Sequence, residues 1–215
     1  MKLLFFTITI IILCFSCKKK KEEEYILHGI VKNINTGEPV NNMQINLLAQ
    51  KFIGSSYNDS YTLVAYDITK NSGNYNIVFK KERVASYKIV INEEKYFNNE
   101  IELPNKSFEN KSFEKNIGIY SKSWIKIVLI NHPPSNPEDI LFLRFMNNPI
   151  KTFDCCPSTY KYFYGVGEHI LPPCEIPGSF NAIIELNYSI GANHFQSYDT
   201  IPTSAFDTIT HIVGY

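Results

Sequence analysis

The chain has 215 residues, with 21 Lys or Arg set against 21 Asp or Glu, so its formal net charge is zero. Nothing in that balance suggests the broad basic surface on which nucleic-acid binding depends. Aromatic residues make up 14% of the chain and β-branched ones are frequent, which points to strands, and no segment after residue 24 carries a sustained apolar stripe at helical spacing.

The first element is a leader. Lys2 precedes an apolar run from Leu3 to Leu13, followed by Cys14-Phe15-Ser16-Cys17 and the charged block Lys18 to Glu24. The run falls short of the ~20 residues that a membrane-spanning helix needs and has the layout of a secretory signal. Ser16-Cys17 resembles the lipobox of bacterial lipoproteins. The resemblance implies cleavage after residue 16, lipidation of Cys17 and a place in the cell envelope, at the outer membrane, with either face open. Residues 17–24 read as a solvated charged linker that lifts the first strand off the membrane, the alternative being that its four lysines touch anionic headgroups.

Residues 25–121 read as short strands broken by turns. Leu27, Gly29 and Val31 alternate with His28, Ile30 and Lys32; Tyr75, Ile77 and Phe79 alternate with Asn74, Asn76 and Val78; and Tyr87, Ile89 and Ile91 alternate with Lys88, Val90 and Asn92. This period of two puts one face of each strand toward a core. Asn35-Thr36-Gly37-Glu38-Pro39 and Asn71-Ser72-Gly73-Asn74 supply turns, with Gly37 free to take a positive φ and Pro39 fixing the exit. Ala49 to Ser60 is expected at or near a loop. Gly29-x-Val31, Thr36-Gly37-Glu38-Pro39-Val40, Ile45-x-Leu47, Ser72-Gly73-x-Tyr75-x-Ile77 and Tyr87-x-Ile89-x-Ile91 with Tyr96 resemble the carboxypeptidase regulatory-like domain. The resemblance covers residues 26 to about 120 and implies a transthyretin-like or Ig-like sandwich of about seven strands, with packing and turn roles for the motif residues and no catalytic group among them.

Residues 122–215 are expected to form a second β-sandwich, of no recognised family, so the whole chain is all-β. After a polar break at Tyr120 to Ser123, Trp124 to Ile130 is long enough for a buried strand. Asp139 to Phe145 is another, with Leu141, Leu143 and Phe145 on one face. Ile184, Leu186, Tyr188 and Ile190 alternate with Glu185, Asn187 and Ser189, and Thr208 to Val213 closes the unit. No internal repeat is visible between the halves beyond this shared strand pattern.

Three cysteines of the second half, Cys155, Cys156 and Cys174, are disulfide candidates in an exported chain. Cys174 can pair with either neighbour, closing a loop of about 18 residues worth roughly 3 kcal/mol. Zinc bound through His169 and these cysteines is disfavoured because the usual two-residue spacer is missing. None of the five histidines lies in a zinc-peptidase pattern, and His28 and His211 read as solvent-facing or satisfied strand residues. No metal, cofactor or catalytic residue is therefore expected. Tyr160, Tyr162, Phe163 and Tyr164 form either an exposed platform for a sugar or another protein, or a strand with Tyr162 and Tyr164 facing a core.

The expected function is a non-catalytic, lipid-anchored envelope protein, a binding, scaffold or accessory module with an envelope protein or glycan as partner. The regulatory-like resemblance implies a place beside outer-membrane uptake machinery. Two alternatives are a hydrolase drawing two of Asp139, Asp154, Glu168, Glu175, His169 and His194 into a pocket of the C-terminal half, and a redox protein using Cys155-Cys156.

Overall fold

The alternation written into the strands folds the chain into two stacked pairs of sheets. The computed structural model describes residues 23–53, 56–150 and 156–215; the leader, the lipidation residue Cys17, most of the charged linker, Asp154 and Cys155 lie outside them. In the first half the strands are β1 (Glu24–Asn33), β2 (Gln44–Ile53), β3 (Ser56–Ile68), β4 (Asn74–Lys80), β5 (Val84–Ile91), β6 (Asn99–Pro104), β7 (Ser112–Glu114) and β8 (Ile117–Ile119). In the second they are β9 (Lys122–Asn131), β10 (Ile140–Phe145), β11 (Lys161–Tyr164), β12 (Gly167–Ile170), β13 (Cys174–Pro177), β14 (Phe180–Ile190), β15 (Asn193–Thr203) and β16 (Thr208–Gly214). The first strand thus begins at the last residue of the expected linker, one before the expected start of the domain. Ala49 to Ser60, expected at or near a loop, belongs largely to strands, because β2 runs on to Ile53 and β3 starts at Ser56 as its antiparallel partner.

One sheet of the first half has the order β4-β1-β7, with β8 also on β1, and the other runs β3-β2-β5-β6. Strands β7 and β8 lie one after the other along β1, both parallel to it, and together fill one strand position. The core between the sheets takes the predicted faces: Leu27, Val31, Ile45, Leu47, Ile77 and Ile89 are all fully buried. Phe79, Tyr87 and Phe108 meet edge to face with ring centroids 5.0–5.5 Å apart, the geometry aromatic quadrupoles prefer. Gly29 allows the close approach its position suggested, since a Cβ there would sit 2.0 Å from the Lys115 carbonyl oxygen. Gly37 takes φ +73° in the turn, where the Asn33 carboxamide oxygen accepts from the Asn35 and Thr36 amides.

The second half repeats this plan strand for strand. Its sheets are β11-β10-β14-β15 and β12-β9-β13 with β16 also on β9. Strands β12 and β13 share one position as antiparallel partners of β9, while β16 runs parallel to it. Each half therefore has seven strand positions joined in one order: first on fourth and seventh, second on third and fifth, fifth on sixth. The repeat lies in topology and pairing direction, which is why strand patterning alone did not reveal it. A separate cluster of apolar residues, including Ile125, Leu129, Leu143, Phe145, Ile184 and Ile201, forms the second core.

Only two residues separate β8 from β9, and the contacts between the halves are few and mostly polar. Asn35 donates to the Gly178 carbonyl (2.9 Å), and the Gly178 amide donates to the Ser121 carbonyl (2.8 Å). Tyr96 meets Phe206 edge on at 5.4 Å. Because each half closes its own core, a fragment of residues 23–121 is expected to unfold in one cooperative transition in urea; a broad, non-cooperative loss of structure would show that the first sandwich needs the second.

Candidate functional site

In the β11-β10-β14-β15 sheet, Leu141, Leu143 and Phe145 turn inward with Ile184 and Leu186, and all five are buried. The intervening residues must then face away from the core. Cross-strand register sets them in three rows: Tyr164, Ile140, Ser189 and His194; Tyr162, Phe142, Asn187 and Gln196; and Arg144, Glu185 and Tyr198, with Tyr160 beside Arg144. Tyr162 is 61% exposed, Tyr164 58% and Tyr198 58%.

This placement corrects the core-facing alternative for the Tyr160–Tyr164 segment. Leu141 pairs with Phe163, so Phe163 turns toward the second core and leaves Tyr162 and Tyr164 outside. It equally removes Phe163 from the platform. The rings that remain are linked: Phe142 lies 6.1 Å from Tyr160 and 6.3 Å from Tyr162, and Tyr162 lies 5.8 Å from Tyr164.

At the centre of the face stands a carboxylate with almost no access to water. Glu185 is 2% exposed although its strand position points outward. Arg144 Nε donates to its Oε2 at 2.5 Å. Gln196 Nε2 and Asn187 Nδ2 donate to its Oε1 at 2.6 and 3.3 Å, and the Tyr198 hydroxyl approaches that oxygen at 3.5 Å. The same amides reach outward, Asn187 to the Tyr160 hydroxyl (2.9 Å) and Gln196 to the Tyr198 hydroxyl (2.9 Å). The Arg144 guanidinium lies 4.5 Å from the centroid of the Tyr160 ring, a cation–π contact. Burial pushes the Glu185 carboxyl up, but the bonds from Arg144, Gln196, Asn187 and Tyr160 more than reverse this and hold it at about 2. Burial and the bond to Glu185 raise the Tyr160 hydroxyl.

Among the described residues the other candidates do not converge, and Glu168 stands exposed on β12. Asp139 is buried and accepts from the Asn136 amide (2.8 Å), Asn131 (3.1 Å) and the Gly191 amide (3.1 Å), bonds that hold its carboxyl below the usual range. It clamps two loops. Glu175 pairs with Lys122, His169 contacts the Tyr164 carbonyl, and His194 bonds the Ser189 hydroxyl. His28 meets the Ser112 hydroxyl and His211 meets Asp199. No group of three metal-ligating side chains occurs among the described residues. Cys156 and Cys174 form a disulfide with Cα atoms 5.9 Å apart, both side chains buried in the second core.

Phe142, Arg144, Gln196 and Tyr198 had not been singled out from sequence. Phe142 and Arg144 were implicit, as the residues between those assigned to the inner face of the same strand. Strand β15 was missed altogether, although the two-residue connection Gly191-Ala192, with Gly191 at φ +58°, is a hairpin signal.

No protein-family model matches the chain, and no curated protein is similar to it. Among solved structures, the Bacillus anthracis TIE protein is 12% identical with a TM-score of 0.37 over 89% of this chain, which spans 34% of that one. Shaft pilin SpaA from Lactobacillus rhamnosus GG is 9% identical with a TM-score of 0.33, covering 89% of this chain and 97% of the pilin. A DUF3823 family protein from Parabacteroides merdae is 14% identical with a TM-score of 0.30, covering 85% and 98%. What the site can do is read from its own side chains.

Two outcomes follow from this geometry. A carboxyl held near 2 when folded, against an ordinary 4.5, contributes stability that is whole above about 4.5 and is lost as pH falls through about 2. Glu185→Gln should therefore unfold at lower temperature than the parent at neutral pH, and the gap should narrow across that acid window; a gap independent of pH would contradict the charge assignment. Replacing Cys156 and Cys174 together with Ser should lower stability by about 3 kcal/mol in denaturant titrations, and no loss would mean that the loop is held without the bridge.

Proposed function

We propose that this protein is a non-catalytic binding module of the cell envelope, anchored through lipid on Cys17 and presenting the outward face of the β11-β10-β14-β15 sheet to its ligand. The observation that carries this reading is the combination, on one face, of a closed polar network around buried Glu185 with tyrosines that stay more than half exposed. Fixing side chains in advance lowers the ordering cost of binding, and aromatic rings left in water gain most by being covered.

Of the acids and histidines that a hydrolase would have to assemble, Asp139, Glu175, His169 and His194 are each engaged in separate local contacts, which favours binding over catalysis. The leader ending at Ser16-Cys17 supports the anchor, and the Thr36-Gly37-Glu38-Pro39-Val40 block and its companion motifs support a regulatory-like first sandwich. In this reading the first sandwich and charged linker hold the second away from the bilayer, in an accessory role beside envelope machinery.

The test has two arms. Cys17→Ser should move the protein from the detergent-rich to the aqueous phase in detergent partitioning, and unchanged partitioning would remove the anchor. The soluble Cys17→Ser chain should still sediment with isolated cell envelopes, and adding Tyr162→Ala and Tyr198→Ala should reduce that binding by about tenfold; full binding by the altered chain would remove the face.

A further inference from the structure

We propose that the ligand of this face is an uncharged oligosaccharide, laid across the strands from Tyr162 and Tyr164 on β11 to Tyr198 on β15. The inference rests on the binding-module reading and adds the chemical class of the ligand.

The network leaves a defined set of hydrogen-bonding groups unused. Both amide hydrogens of Asn187 are committed, to Glu185 and Tyr160, and both of Gln196, to Glu185 and Tyr198. Each amide therefore has only its oxygen left, as an acceptor. Arg144 uses Nε on Glu185 and keeps its terminal N–H groups, with its side chain one-third exposed. A ligand that answers both sets must donate and accept at closely spaced points along one edge. Vicinal hydroxyls do this, since each can play either part.

Charge selects in the same direction. Arg144 is the cation at the centre of the face, and Glu185 neutralises it at hydrogen-bond distance. An anionic ligand would have to compete with a carboxylate already buried and bonded by four groups, so the closed pair selects against acids.

The layout of the face also differs from that of a protein interface. Protein–protein interfaces are apolar at the centre and polar at the rim. Here the two inner strands carry Arg144, Glu185 and Asn187 together with Phe142 and Ile140, so the middle is mixed and not apolar, while Tyr162 and Tyr164 occupy one edge strand and Gln196 and Tyr198 the other. Flat polar groups between exposed rings suit a ring-shaped ligand whose edge carries hydroxyls and whose face carries C–H groups to pack on aromatic surface. Four strands spaced about 4.8 Å apart give a span of roughly 14 Å from β11 to β15, room for several sugar rings in line.

The experiment uses the full-length Cys17→Ser chain and two kinds of probe. Isolated envelopes are treated either with periodate, which cleaves vicinal diols, or with proteinase K, and binding is measured by sedimentation. The proposal expects periodate to abolish binding and proteinase K to leave it. Separately, native gels cast with soluble neutral polysaccharides (a dextran, a galactomannan, a xyloglucan) and an acidic one (polygalacturonate) are run with the parent and with Tyr162→Ala, Tyr198→Ala and Arg144→Lys. Retardation by at least one neutral polymer, indifferent to added salt and weakened about tenfold by each substitution, is the expected result. Tyr162→Phe, which keeps the ring, should retain most of the retardation.

Tyrosine-dependent envelope binding that survives periodate and is lost to proteinase K would overturn the saccharide while leaving the face intact as a protein-binding surface. Retardation only by the acidic polymer, abolished by salt, would overturn it as well. Envelope binding unaffected by the tyrosine substitutions would instead fail the underlying reading of the face.

Discussion

The ion pair between Glu185 and Arg144 is the interaction on which this account depends. A strand residue that points away from the core is ordinarily solvated, and its ion pairs contribute little because water and salt screen them. Glu185 sits at such a position and is nevertheless enclosed by its neighbours across the sheet. A buried carboxylate with one partner missing would be costly, so Arg144, Asn187 and Gln196 are each constrained to supply a donor. That constraint turns four side chains from three strands into a rigid surface with defined vacant acceptors and donors.

The same strand plan, used twice, shows how far the scaffold alone determines such a surface. In the corresponding sheet of the first half, Lys88 pairs with Glu100 at 2.9 Å and lies 4.3 Å from the centroid of Tyr61. The ingredients are similar: a cation, an acid and an edge-strand tyrosine. Yet the Glu100 side chain is 60% exposed where that of Glu185 is 3%. One difference is that Glu100 lies on the edge strand β6, whereas Glu185 lies on β14, between two other strands. Topology supplies the position, and burial of the acid separates a surface ion pair from an organising centre.

Much of the architecture was legible in sequence because it depends on local pattern. The alternation of Tyr75, Ile77 and Phe79 marked an inner face, and the Asn35–Pro39 turn followed from Gly37 and Pro39. The direction in which Lys161-Tyr162-Phe163-Tyr164 points was not legible. Aromatic residues occupy both faces of that segment, so its parity is set by pairing Phe163 with Leu141, a residue 22 positions earlier. Strand β15 escaped notice because its inward positions include Ser197 and Asp199 and present no apolar series. The site shared this difficulty: Glu185 was assigned to the polar side of its strand, but Arg144 lies 41 residues away and only cross-strand register brings the two together.

The most direct measurement is the titration of the Glu185 carboxyl carbon by nuclear magnetic resonance in the intact protein, assigned by its absence in Glu185→Gln. If this carboxylate is the enclosed hub of the face, its midpoint lies at about 2 and the Asn187 and Gln196 side-chain amide signals shift with the same midpoint. A midpoint at the ordinary value of 4.5, with amide signals that do not follow it, would contradict the claim that Glu185 organises the surface.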